Sequence, residues 1–229
     1  MTAIDLRQGR RGKGLSQIQA ARRLGVSQPY LAMLEGNHRR VTSKLAWKAA
    51  KVYGLSPALL PHVLPQRPHA TADDLVRDLG VLGYPGFSYM RSVRRKRKNP
   101  SDVLLAALAQ QDLEARLVEA LPWLLLKYAD VDRDWLVKEA KLRNLQNRLG
   151  FVTSLARRLA EKADDHSKAQ ALGALEQELD RSRLDREEAF KAVLPEPERR
   201  WMEQHRPEES KRWKVLTDWT ADTLRYASA

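Results

Sequence analysis

Apolar side chains recur at intervals of three and four residues along most of the chain, and no sustained apolar-polar alternation rich in β-branched residues interrupts them. The pattern predicts an all-α protein. It breaks first at LPQRPHAT, residues 64–71, where Pro65 and Pro68 remove backbone donors and disfavour helix on their N-terminal sides. A linker is placed there. A helix is predicted over 71–82, with Thr71 as N-cap and Asp73 and Asp74 in the first turn, where carboxylates complement the helix dipole. Residues 83–102 combine Gly, Pro and a basic run and read as a long connection. From 100 to about 162 the helical pattern is strongest and supplies the main core, with Pro122 predicting a kink or restart. Past Lys162 the chain turns polar, with one or two amphipathic helices that Pro195 and Pro197 end. The tail keeps Trp201, Trp213, Leu216, Trp219, Leu224 and Tyr226 as an apolar stripe, which predicts docking on its own body or on a second subunit. The organisation expected is a helical domain over 1–64, then a linker, short helix and basic loop over 65–99. A helical domain with an extended helical tail occupies 100–229.

The chain has 229 residues and a net charge of +12. That charge is unevenly placed. Residues 1–70 hold 12 Lys and Arg against two acids, Asp5 and Glu35, a net +10 that leaves +2 for the remaining 159 residues. A front this basic favours a polyanionic partner, because cations facing a phosphate backbone release condensed counterions. There are no cysteines, which excludes disulfides, thiolate zinc sites and a cysteine nucleophile. MTAIDLRQGRRGKG lacks the apolar core of a signal peptide, and no later run approaches ~18 apolar residues, so a cytoplasmic protein without membrane contact is expected.

The most informative string is LSQIQAARRLGVSQPYLAMLEG, residues 15–36. Ser16 caps a helix whose inward face is expected to be Ile18, Ala21 and Leu24. Ala21 is small enough for a second helix to cross close to it. Gly25 gives the turn access to positive φ. Ser27 caps the second helix, Pro29 lies in its first turn where a missing N–H is harmless, and Leu31 and Leu34 face inward. Gln28, Pro29, Tyr30, Ala32 and Met33 are left on the outer face.

These residues resemble the phage repressor and Cro (XRE) family of helix-turn-helix DNA-binding domains. The likeness spans residues 6–60, about a quarter of the chain. It runs through Leu6, Arg7 and Arg10, then GLSQ at 14–17, Ala21, LGVSQ at 24–28 and LEG at 34–36, with SKLAWKAAKVYG as a fourth helix and a fifth from Ser56 and Pro57. The resemblance implies a five-helix domain that puts its second motif helix into the major groove, with Arg10 and Glu35 as a partly buried ion pair. Gln28 is the expected base reader, since a carboxamide donates to and accepts from one adenine edge at once. Tyr30 and Met33 are expected near thymine methyls or sugar, and Gln17 near phosphate at a helix N-terminus. Asn37, His38, Arg39, Arg40, Ser43 and Lys44 are expected to hold the backbone. Pro29 and Met33 depart from the polar residues many relatives carry, and the loop reads Glu-Gly-Asn instead of the usual Glu-Asn-Gly.

The resemblance also implies a nucleoid-associated regulator, a repressor in the first instance, that binds a two-fold site on double-stranded DNA as a homodimer. A looser likeness of residues 119–152 to regulators encoded beside toxin genes gives the alternative of an antitoxin with a protein toxin partner. A ligand-sensing regulator ranks third. Asp130, Asp132 and Asp134 resemble the opening of a calcium loop, but Trp135 and Lys141 stand where Gly and Glu are needed, so they read as helix-capping acids. The five histidines are scattered without an i, i+4 pair, so no metal is expected. No nucleotide-binding or nucleophile motif occurs, and neither an enzyme nor a cofactor is expected. Arg91, Arg94, Arg95, Lys96, Arg97 and Lys98 form a basic run that reads as a second phosphate contact, a minor-groove arm or a solvated loop. Trp123, Tyr128 and Trp135 read as core or dimer interface.

Overall fold

The computed structural model describes residues 1–63, 70–90 and 96–224. The chain forms two compact units, which divide between Val63 and Leu64.

The first unit contains α1 (Ala3–Gly12), α2 (Gln17–Leu24), α3 (Gln28–Glu35) and α4 (Ser43–Tyr53). Side-chain caps fix each start. Thr2 and Asp5 form a reciprocal capping box on α1, Ser16 and Gln19 form another on α2, and Ser27 and Thr42 cap α3 and α4. Leu6, Ala20, Leu31, Leu34 and Ala49 are fully shielded and make the centre of a small core. The fifth helix expected from Ser56 and Pro57 is a single 3-10 turn, Pro57–Leu59. Pro61 explains the stop: it bars the helical conformation from Leu60, which is extended at φ −67° and ψ 148°. Ile18, expected inward, is 65% exposed. The inward positions of α2 are Ala20, Ala21 and Leu24, and the same stripe one turn earlier is held by Gln17.

The second unit begins with α5 (Ala72–Leu82), capped by Thr71 and Asp74, and a 3-10 turn at Pro85–Met90. Both belong to its core. Tyr84 and Phe87, in a stretch expected to be a plain connection, are buried, with the Tyr84 ring edge-on to Phe87 at 5.0 Å and to Trp123 at 5.3 Å. Then come α6 (Pro100–Leu108), α7 (Ala115–Lys127), α8 (Arg133–Leu142) and α9 (Gln146–Lys162). Here α7 runs through Pro122 without restarting, its buried Leu121, Trp123, Leu124 and Leu125 outweighing one lost backbone bond. Asp132 caps α8 by accepting from the Trp135 amide at 3.0 Å, the helix-capping role expected of the acidic triplet. Trp123 and Tyr128 are core residues, and the Tyr128 hydroxyl donates to the Leu82 carbonyl at 2.6 Å.

Nearly every face of α9 is covered, and twelve of its 17 residues are buried. It pairs with α10 (His166–Asp180) and carries two polar staples. Asn147 exchanges hydrogen bonds with the Leu184 backbone, at 2.9 and 3.0 Å. Arg148 donates to the carbonyls of Leu108, Gln110 and Ala189 at 2.6–2.8 Å, and burial pushes its guanidinium below its ordinary value. Between 181 and 194 there is no further helix but a short strand, β1 (Glu188–Ala189). Pro195 and Pro197 do not close an element: they open α11 (Glu196–His205), where a first-turn proline loses nothing. α12 (Glu208–Trp213) and β2 (Val215–Leu216) come next, and β2 pairs in parallel with β1. The tail docks on its own body through Trp213, Leu216 and Leu224, while Trp219 is half-buried and Tyr226 lies outside the described residues. No helix among the described residues is long and apolar enough to cross a membrane.

Candidate nucleic-acid interface

The turn between α2 and α3 is set by Gly25 at φ +66°, which closes α2 in the left-handed conformation. Leu24, Leu31 and Leu34 then hold the two helices together, and the outer side of α3 is left to solvent. Met33 is 38% exposed, Pro29 is exposed, and Gln28 and Tyr30 are half-buried. Ser27 keeps the N-terminal end of α3 in place by accepting from the Tyr30 amide at 3.3 Å.

Behind this face lies a chain of polar contacts. The Glu35 carboxylate is 1% exposed and takes two parallel bonds from Arg10, Nε to Oε1 at 2.6 Å and Nη2 to Oε2 at 2.9 Å. The remaining Arg10 nitrogen donates to the Leu15 carbonyl at 2.8 Å. Gln17 Nε2 donates to Glu35 Oε2 at 3.1 Å, and Gln17 Oε1 accepts from Gln28 Nε2 at 2.9 Å. One path therefore runs from α1 through the buried acid to the outer face of α3. Burial pushes the Glu35 carboxyl up, but Arg10 and Gln17 outweigh it and hold it below the usual carboxylate range. The hydrogen bond to Glu35 raises Arg10 above its ordinary value. Tyr53 faces the same pair, and burial together with Glu35 pushes its phenol up to about 12.

Sequence reasoning missed two members of this network. Arg7 Nη2 donates to the Glu35 carbonyl at 2.5 Å, a cation at the C-terminal end of α3. The bridging role of Gln17 was also missed. Its signal was present, because a polar residue one turn ahead of Ala20, Ala21 and Leu24 on an inward stripe needs a partner.

After α3 the chain turns at Asn37, which adopts φ +62° while Gly36 stays at φ −85°. The inverted Gly-Asn order works because asparagine tolerates the left-handed region better than other side chains bearing a Cβ. Asn37, His38, Arg39, Arg40, Ser43 and Lys44 are all exposed along this loop and the start of α4. Both acids of the unit are occupied, Glu35 inside and Asp5 on Thr2, so the surface around α3 is dominated by cations. Of the second basic run, Arg91, Arg94 and Arg95 lie outside the described residues. Lys96 and Arg97 are exposed, whereas Lys98 Nζ is 2.7 Å from the buried carboxylate of Asp78.

Residues 6–60 match the family model for the helix-turn-helix. The first unit belongs to the phage-repressor (XRE) helix-turn-helix family. No curated protein and no solved structure matches the chain. The helix-turn-helix unit is that of a DNA-binding transcription regulator, and the match ends at Leu60. Among the described residues, no group of three or more His, Asp or Glu side chains is placed to hold a metal ion.

Proposed function

We propose that the protein is a transcriptional repressor that inserts α3 into the major groove of a two-fold operator and binds there as a homodimer. The observation that carries this reading is the braced carboxamide of Gln28. With one Nε2 hydrogen given to Gln17, Gln28 keeps one N–H and its carbonyl oxygen, the donor and acceptor that match N7 and N6 of adenine. Fixing the side chain before contact lowers the entropy lost on binding. Met33 and Tyr30 offer apolar surface to neighbouring thymine methyls, and Pro29 adds no hydrogen-bonding side chain, so direct readout is sparse and DNA shape contributes the remainder. Asn37, Arg39, Arg40 and Lys44 hold phosphates on one side, and the N-terminal end of α2 at Gln17 meets them on the other. One such unit makes too few contacts for tight specific binding, which is the reason for pairing two copies.

Affinity for the chain's own promoter and for random duplex, measured across a salt series, tests this. Gln28→Ala is expected to lose about 1–3 kcal/mol on the operator and little on random DNA. Arg39→Ala is expected to weaken both alike and to flatten the salt slope by about one unit. Equal loss on both duplexes with Gln28→Ala would remove the base-reading role.

A further inference from the structure

Of the eight residues of α3, Pro29 and Met33 are exposed, Gln28, Tyr30 and Ala32 are half-buried, and Leu31, Leu34 and Glu35 are buried. The two exposed positions are four apart, so their side chains are neighbours on one face, with Cβ atoms about 5–6 Å from each other. Neither side chain donates a hydrogen bond, and the only charged residue of α3 is the buried Glu35. The most outward ridge of this helix is therefore apolar. The loop that follows is the reverse, with Asn37, His38, Arg39 and Arg40 all exposed. The unit belongs to a DNA-binding family, and seating α3 in the major groove, as proposed above, covers the ridge with base edges.

The floor of the major groove consists almost wholly of hydrogen-bonding edges. Its one apolar feature is the C5-methyl group of a pyrimidine, native to thymine and added to cytosine by methylation. Over a guanine edge or an unmethylated cytosine, Pro29 and Met33 would take water from donors and acceptors and return no hydrogen bond, a net cost. Over C5-methyl groups they bury carbon against carbon. Their separation of about 5–6 Å spans roughly two base steps of about 3.4 Å, so both meet methyls within one half-site. Pro29 is rigid, and the unbranched, polarizable Met33 adjusts to the methyl it meets.

We propose that Pro29 and Met33 together read pyrimidine C5-methyl groups, so that 5-methylcytosine stands in for thymine beneath them and cytosine methylation retunes the affinity of the operator. This rests on the major-groove reading above and names what the apolar part of that face selects. Gln28 reads the adenine by hydrogen bonding. The Pro29 and Met33 ridge separates methylated from unmethylated pyrimidines, whichever base bears the methyl.

Modified duplexes of the chain's own promoter, titrated with the full chain, test this. Replacing thymines one at a time by uracil removes the methyl and leaves every hydrogen-bonding group in place. At one or two neighbouring positions of a half-site this is expected to weaken binding about fourfold each, the factor that burial of one methyl group supplies. At those positions, 5-methylcytosine opposite guanine is expected to bind about fourfold more tightly than cytosine opposite guanine. Met33→Ala is expected to cancel the methyl preference at the position it covers, whereas Arg39→Ala binds more weakly throughout and keeps it. Equal binding of uracil and thymine duplexes at every position overturns the proposal and leaves DNA shape as the reader. So does a uracil penalty with no gain from 5-methylcytosine, or a methyl preference that survives both Met33→Ala and Pro29→Ala. The repressor reading fails by a different result: a chain that binds its unmodified promoter no better than random duplex removes that reading, and this one with it.

Discussion

Replacing Glu35 with alanine is expected to unfold the helix-turn-helix unit while the second unit stays folded. Removing one partner of a buried ion pair leaves the other charge desolvated, a loss of about 3–5 kcal/mol. A unit of this size has a total stability of only about 3–9 kcal/mol. The deletion strands three donors at once: two nitrogens of Arg10 and the Gln17 amide. Amide hydrogen exchange resolves the outcome, with α1–α3 losing protection and α9 keeping it. Intact protection across α1–α3 would show that the pair is dispensable. A double replacement, Arg10→Met with Glu35→Leu, is expected to recover most of the stability, since an apolar pair of similar volume is often neutral or better. It still leaves Gln17 without its acceptor, so Gln28 loses its brace and operator preference falls although the fold returns. The pair also predicts an acid limit. The folded-state pKa of Glu35 lies below its ordinary value, so its contribution is complete above that ordinary value and is lost as pH falls through the folded one. The double variant lacks that acid sensitivity.

The parts of the fold legible in the sequence are those whose cause is local. Ser16, Gly25 and Ser27 dictate caps and a turn through their own backbone preferences, and all three sit where the motif requires. The all-helical class comes in the same way from periodicity, and Thr71 and Asp132 mark helix starts by the same local chemistry. Features that were not legible depend on partners far away in the chain. Ile18 matches an inward position by spacing, but Gln17 takes the inward register because Glu35 waits there, 18 residues on. Pro195 and Pro197 are a local exception: a proline reads equally well as an end or a beginning, and the adjacent helix-forming run from Glu198 to His205 decides the direction. Tyr84 and Phe87 sit in a Gly- and Pro-rich stretch and are drawn into the core by Trp123. In the candidate site, the outer face of α3 could be read residue by residue. Of the polar path behind it, the Arg10–Glu35 pair is expected from the family resemblance and is present. The links through Gln17 to Gln28 and from Arg7 to the Glu35 carbonyl were not legible, because they form only once three helices have packed.

Two helical glycines of the second unit are expected to respond to alanine in opposite directions. Gly150 lies inside α9 and Gly173 inside α10, and on helix propensity alone each Gly→Ala change would stabilise by up to about 1 kcal/mol. At Gly173 the nearest atom to an added Cβ is Cδ of Arg157 at 3.6 Å, an ordinary contact, so that gain is expected in full. At Gly150 the Cβ would lie 2.2–2.4 Å from three atoms of the six-membered ring of Trp213, a fully buried side chain at the end of α12. The indole is fully buried in an interior packed at close to crystal density, so moving it displaces its neighbours. Overpacking of this kind costs about 1–3 kcal/mol and more where the neighbour is rigid, which exceeds the propensity gain. Denaturant midpoints of the two variants against the parent chain decide it: Gly173→Ala higher, Gly150→Ala lower by about 2 kcal/mol in stability. A Gly150→Ala chain as stable as its parent would mean that Trp213 relocates freely. Because Trp213 also ends α12 and leads directly into β2, the strain is expected to spread along the chain. Exchange protection should fall first at β1 and β2, whose parallel pairing begins two residues beyond the displaced ring.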